Sequence, residues 1–277
     1  MPPSEKAELL QSLHRRDDLL VVPNAWDVAS ARVIEAAGLP TTASSSAAFA
    51  WSIGYPDGER APWEDVITGL ARMAAAVDIP ISADLEGGYV GSTGGMDRTV
   101  QALAEAGVAG VGLEDSAFGE GAEGVVDAEA HAELIATARA TADSLDYPLF
   151  INGRTELYIR PVGEDDARLE EAARRLALYA DAGADGAFCP GITDPDEIAQ
   201  LAERLSLPLN VLWMPGMPGL DELERLGTRR VTIGSQTYLG ALAAVQRIAE
   251  GLRDRDLQPL EELGRPSRDA MRRIVSL

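Results

Sequence analysis

Glu105-Ala106-Gly107-Val108-Ala109-Gly110-Val111-Gly112-Leu113-Glu114-Asp115 compresses a helix end, a turn and a short strand that stops on two carboxylates. Gly107 suits the left-handed residue with which many helices end. A closely similar join recurs at Asp181-Ala182-Gly183-Ala184-Asp185-Gly186, again feeding an apolar run. A helix handing over repeatedly to a strand signals parallel strands, because parallel neighbours need a crossover connection.

Outward from this unit, short apolar runs alternate with helical patterns. Strands are expected at 18–23, 41–44, 79–84, 110–115, 149–154, 186–191, 209–212 and 230–234. Helices are expected at 7–13, 28–37 (with Asp27 as N-cap), 63–77, 97–106, 127–143, 165–182, 196–205, 220–226 and 237–251, and an amphipathic helix over Pro259 to Val275. The segment from Ser45 to Gly58 reads as a long connection. Eight strand–helix units in about 230 residues predict a (β/α)8 TIM barrel. The chain is read as one domain, with a core over about 19–252 and a C-terminal helical extension over about 257–277. An open doubly wound sheet would carry a glycine-rich phosphate loop after its first strand. Pro23-Asn24-Ala25-Trp26-Asp27 stands there instead.

The 277 residues include 45 acids and 24 bases, a formal charge of −21, which disfavours nucleic acid and anionic membrane as partners. One cysteine, Cys189, and two histidines, His14 and His131, exclude an intrachain disulfide and a multi-histidine or multi-cysteine metal site. No apolar signal core opens the chain and no run approaches a membrane span, so a cytoplasmic protein is expected. Cys189, before a proline in a small-residue strand, reads as a core thiol, and His131 as a helix-surface residue.

In a barrel the strand C-termini face one mouth. The polar residues expected there are Ser44, Ser45, Ser46, Asp84, Glu86, Glu114, Arg154 and Asn210, with Asp57 on a loop that could fold back over them. Asp84 and Glu86, two residues apart in Ser82-Ala83-Asp84-Leu85-Glu86-Gly87-Gly88-Tyr89, can point the same way from extended chain. Together with Glu114 they would repel one another without a hard cation, so Mg2+ (or Mn2+) is expected on Asp84, Glu86 and Glu114. The competing readings are that single acids cap helices, that Arg154 pairs internally with Glu114 or Glu156, that Asn210 holds a loop carbonyl, and that Tyr89 packs on the rim.

On these residues the chain resembles the isocitrate lyase / phosphoenolpyruvate mutase superfamily over roughly Leu19 to Leu252. Ser82 to Tyr89 is similar to its D-A-D-T-G-Y-G segment, with Glu86 in place of the second aspartate. Glu114-Asp115 is similar to its E-D pair, Asn152-Gly153-Arg154-Thr155-Glu156 to N-A-R-T-D, and Tyr55-Pro56-Asp57 to G-x-P-D. Ser44-Ser45-Ser46 stands at its oxyanion-binding turn. The resemblance implies a barrel whose last helix is swapped to a neighbour in a homodimer or homotetramer. It implies magnesium, Arg154 and the serine turn as carboxylate holders, and Asp57 as an active-site acid. The chain is a divergent member: Ser116 to Gly124 lacks the lyases' K-R-C-G-H loop, and Gly191 replaces the glutamate of F-P-E.

The expectation is therefore a Mg-dependent lyase that cleaves a C–C bond in a small 2-hydroxy or 2-keto (di)carboxylate through an enolate. Asp57, Arg154 and Glu114 are its catalytic candidates, and Ser44, Ser45, Ser46, Tyr89, Arg154 and Asn210 its substrate-binding ones. A phosphonopyruvate-type C–P hydrolase or mutase, an oxaloacetate-type decarboxylase and a non-catalytic keto-acid-binding barrel are the alternatives.

Overall fold

The computed structural model describes residues 1–119, 122–160, 167–264, 271, 272 and 274. The chain opens with α1 (Pro3–His14), β1 (Leu20–Val22), β2 (Asn24–Ala25), α2 (Val28–Ala36), β3 (Thr42–Ser44), α3 (Ser46–Ser52) and α4 (Trp63–Ala76). Next come β4 (Ile81–Asp84), α5 (Val90–Thr93), α6 (Met96–Ala106), β5 (Gly110–Glu114), α7 (Ala128–Ser144) and β6 (Phe150–Arg154). The last part holds α8 (Arg168–Asp181), β7 (Gly186–Phe188), α9 (Pro195–Arg204), β8 (Leu209–Leu212), α10 (Leu220–Arg225), β9 (Thr228–Thr232), α11 (Gln236–Arg253) and α12 (Gln258–Leu263).

All sheet pairings are parallel, in the order β1-β9-β8-β7-β6-β5-β4-β3-β2. β1 and β2 are two halves of one strand, split at Pro23, which has no N–H for the ladder. One half pairs with β9 and the other with β3, so the sheet closes into the expected eight-stranded barrel. Asn24 bolts this seam. Its Nδ2 donates to the Ser44 carbonyl at 2.8 Å, and its Oδ1 accepts from the N–H groups of Ile233 and Gly234 at 3.1 and 2.9 Å.

The local signals mostly place the helices. Asp27 caps α2, accepting from Ser30 N at 2.7 Å, and Gly107 (φ 75°) ends α6. Two readings need correction. The connection after Ser44 contains α3, whose Ser45 Oγ accepts from Ala48 N at 3.3 Å as an N-cap. His131 is buried, not on the helix surface: α7 turns it inward, onto the Leu113 carbonyl and edge-on to Tyr179.

α1 closes the bottom of the barrel. Buried Lys6 donates to the carbonyls of Ala74 and Val77 at 2.7 and 2.5 Å, tying α1 to the end of α4. His14 stacks on Phe150 with ring centroids 3.8 Å apart. At the other end of the chain, α11 leaves Leu239, Leu242, Val245 and Leu252 exposed, and Leu257, Leu260 and Leu263 continue that apolar surface. The expected helix over Pro259 to Val275 is not continuous: α12 stops at Leu263, before Gly264 with φ 66°, because a glycine in that conformation ends a helix; residues 265–270, 273 and 275 lie outside the described residues, and Ile274 offers its carbonyl to Arg32 of α2. No helix among the described residues is long and apolar enough to cross a membrane.

Candidate active site

Strand alternation decides which side chains enter the mouth. Asp84, last residue of β4, points in. Its Oδ1 accepts from Arg154 Nη1 at 3.0 Å, and its Oδ2 from Ser46 N and Oγ at 3.2 and 2.8 Å. Ser44 supports it from beneath, its Oγ accepting from Asp84 N at 2.9 Å. Glu114 ends β5 on the same side and meets Arg154 Nη1 at 2.9 Å through Oε2, while Ser116 Oγ donates to Oε1 at 2.5 Å.

Asp115, the next residue, must point the other way, into the helix layer. It is fully buried and accepts from Thr155 Oγ1, Glu156 N, Arg175 Nη1 and Tyr179 OH at 2.8, 2.8, 2.9 and 2.8 Å. This network fixes buried Glu156, which in turn accepts from Arg154 Nε at 2.6 Å. Arg154 is thus held by three carboxylates, which keep it charged against the pull of burial. The internal-salt-bridge reading of Arg154 is part of the observed geometry.

Glu86 lies beyond β4 with φ 53°, a left-handed conformation that few non-glycine residues adopt. The bend turns its carboxyl back into the mouth, where the backbone N–H groups of Gly58 (at 3.2 Å) and Glu59 donate to it. Glu59 reciprocates by accepting from Tyr89 N at 2.7 Å, so the Asp57 loop is laced down over the mouth. Burial, then a hydrogen bond and repulsion from Asp57, then Asp84 and Glu114, push Glu86 up to about 9. Burial also pushes Glu114 up to about 7, with Arg154 opposing.

Four carboxylates, Asp57, Asp84, Glu86 and Glu114, therefore face one mouth. All are hard oxygen donors, the kind that Mg2+ and Mn2+ take. Among the described residues no group of three or more such side chains is already gathered to hold an ion directly, because Asp84 and Glu114 lean to Arg154 and Glu86 to the loop backbone. The donor set fits a cation that keeps several of its waters, as magnesium does.

Beneath the mouth is a cavity of about 170 Å3, bordered by Ser45, Ser46, Asp57, Asp84 and Arg154. Glu86 and Glu114 border an adjoining pocket instead, and three of the substrate-binding candidates lie outside the cavity. Ser44 acts through Asp84, Tyr89 is buried against Trp63 with centroids 5.6 Å apart, and Asn210 is buried beside the cavity wall. Sequence reading missed Asn24, Ser82, Asn152 and Arg230, which also line the cavity. The signal was present: Ser82, Asn152 and Arg230 stand two residues before Asp84, Arg154 and Thr232, hence on the same inward face. Cys189 is fully buried and its thiol is pushed up, as a core cysteine.

The model of the family described as phosphoenolpyruvate phosphomutase matches residues 10–253. The chain belongs to the phosphoenolpyruvate phosphomutase family. It is 33% identical over 249 residues to an uncharacterised protein, Rv1998c, of Mycobacterium tuberculosis, covering 89% of this chain and 90% of that one. It is 28% identical over 278 residues to an oxaloacetate decarboxylase of Bradyrhizobium sp. strain ORS 278, covering 98% and 92%. The crystal structure of an oxaloacetate acetylhydrolase superimposes with a TM-score of 0.80 at 27% identity, covering 98% of both chains. This phosphomutase family is part of the isocitrate lyase / phosphoenolpyruvate mutase superfamily, whose members act on small carboxylates through related C–C and C–P cleaving chemistry.

In this family member the loop after β5 differs from the lyases' K-R-C-G-H loop in what it can do. It folds back through a Ser116–Val125 bridge and lays the Phe118 ring against Gly87. A Cβ at Gly87 would stand 2.7 Å from that ring, so any larger residue there would have to displace Phe118.

Proposed function

We propose that the chain is a magnesium-dependent C–C lyase for a small 2-keto dicarboxylate, and that its bond cleavage is loss of carbon dioxide next to an enolate. The observation that carries this reading is the cavity itself: acids, amides and guanidinium line it, and no cysteine, lysine or histidine does among the described residues. Aldol-type cleavage releases a carbanion that needs a proton donor beside the departing fragment. Carbon dioxide leaves without a proton. Relatives that carry the name oxaloacetate decarboxylase support the same substrate class.

Asp84 would hold the magnesium, with Glu86 and Glu114 reaching it through water. The ion, when bound, supplies Lewis-acid stabilisation of negative charge as it develops on the keto oxygen. Ser45, Ser46 and Arg154 orient the carboxylate next to the keto group. Asp57, at the rim and hydrogen-bonded to Glu86, is placed to pass a proton taken from solvent water to the enolate carbon after carbon dioxide has gone.

The test is pyruvate formation from oxaloacetate, methylisocitrate, dimethylmalate and phosphonopyruvate, with magnesium and with a chelator. Magnesium-dependent pyruvate from oxaloacetate, abolished in Asp84→Asn, is the expected result. Phosphate release from phosphonopyruvate would move the assignment to C–P cleavage, and oxalate binding without any turnover would leave a binding protein.

A further inference from the structure

Among the described residues, the deepest cation of the barrel has no acid within salt-bridge distance, and Asp84 acts on it only from farther away. Arg230 of β9 is 3% exposed and lines the floor of the cavity. Its contacts among the described residues are neutral: Nη1 reaches His14 Nε2 at 3.3 Å and Nη2 reaches Ser82 Oγ at 3.5 Å. Its Nε has no partner. His14 cannot supply charge. Its Nδ1 lies 2.8 Å from the Leu10 carbonyl, which only accepts, and its Nε2 faces a guanidinium, which only donates. The ring is therefore neutral with its proton on Nδ1, and burial together with Arg230 holds it down at about 3.

Two buried amides beside Arg230 are also unsatisfied. Asn210, its strand partner on β8, has neither Oδ1 nor Nδ2 bonded, and Asn152 on β6 leaves Oδ1 free. Rotation about the last side-chain bond lets either amide turn its NH2 inward. Buried polar atoms are bonded in the great majority of cases, and buried charges are paired. A guanidinium with an unbonded Nε and an amide with an unbonded Oδ1 line the cavity floor, and the unbonded amide of Asn210 lies beside them just behind the wall; together they make a built receptor for an anion. Arg154, by contrast, already contacts three carboxylates at 2.6–3.0 Å.

We propose that Arg230, flanked by Asn152, Asn210 and Ser82, is the anchor for a carboxylate of the substrate, and that it rather than Arg154 supplies the net positive charge that draws a dianion into this acidic protein. The planar fork of arginine matches a carboxylate bidentately. The anchor lies at the floor and the carboxylate cluster at the mouth, so a diacid can be held at one end by Arg230 and present its keto group above. This deepens the lyase reading, and the two can be tested apart.

The experiment is calorimetry with magnesium present, using oxalate, malonate, succinate and phosphonoacetate as probes on the wild type, Arg230→Met and Arg230→Lys. At least one probe should bind the wild type, and Arg230→Met should weaken it by about 10- to 100-fold, the range for losing charge-assisted hydrogen bonds. Lysine keeps the charge without the fork and should lie between. Methionine removes an unpaired buried charge, so its thermal stability should be unchanged or higher. Binding of every probe by Arg230→Met within about threefold of wild type, or no probe binding the wild type, overturns the anchor. Pyruvate formation is read in parallel. Arg230-dependent binding without turnover defeats the lyase reading and keeps the anchor, whereas turnover indifferent to Arg230→Met does the reverse.

Discussion

Replacing Glu86 by glutamine tests the electrostatics of the mouth directly. Glu86 is 4% exposed, faces Asp57, Asp84 and Glu114, and is pushed from 4.5 up to about 9. In metal-free protein near neutral pH it is protonated when folded and ionised when unfolded. Between those two values folding takes up one proton, so stability falls as pH rises, by about 1.4 kcal/mol per pH unit for a single proton. The contribution is intact below about pH 4.5 and fully lost above about pH 9. Glutamine keeps the shape of the protonated acid and drops this linkage, while every other charge stays. The stability of Glu86→Gln relative to wild type should therefore rise by about 3 kcal/mol from pH 6 to pH 8. Urea unfolding in chelator at several pH values measures it. Magnesium should flatten the difference, because a cation in the mouth favours the carboxylate. A difference that stays constant with pH in chelator would mean that Glu86 is ionised in the folded protein, and the reasoning would fail.

Asp115→Ala should cost about 3–5 kcal/mol in urea unfolding, because it removes the buried acceptor of Thr155, Arg175 and Tyr179 and unfastens Glu156, although Glu171 still pairs with Arg175; a loss below about 1 kcal/mol would show that the network is not structural. Cys189→Ala should keep activity within about twofold, and native Cys189 should resist thiol reagents, since a buried protonated thiol is a poor nucleophile. The apolar surface of α11 predicts self-association. Leu242→Glu with Val245→Glu should shift sedimentation from a dimer or tetramer to monomer, and a wild-type monomer would defeat that expectation.

Asp84, Glu114, Arg154, Ser45, Ser46 and Asp57 were legible from strand ends and the family resemblance, and the structure brings all six to one mouth. The helix inside the connection after Ser44 was not, because serine and alanine carry little periodic signal; its N-cap bond to Ala48 shows it only once folded. His131 looked like a surface residue because α7 is apolar on a weakly defined stripe, and only the position of Tyr179 and the Leu113 carbonyl makes an inward histidine favourable.

By itself the sequence determined the alternating strands and helices, the acids at the strand ends and the absence of a lyase-type proton-donor loop. These follow from local periodicity, turn residues and chain order, which need no distant partner. Only the tertiary structure decided that Pro23 splits the closing strand, that a left-handed Glu86 turns into the mouth, that Arg154 is taken up by three acids, and that Arg230 has no acid within salt-bridge distance among the described residues. Charge compensation is a through-space property set by strand register and barrel closure, which bring together residues as distant in the chain as His14 and Arg230, 216 positions apart.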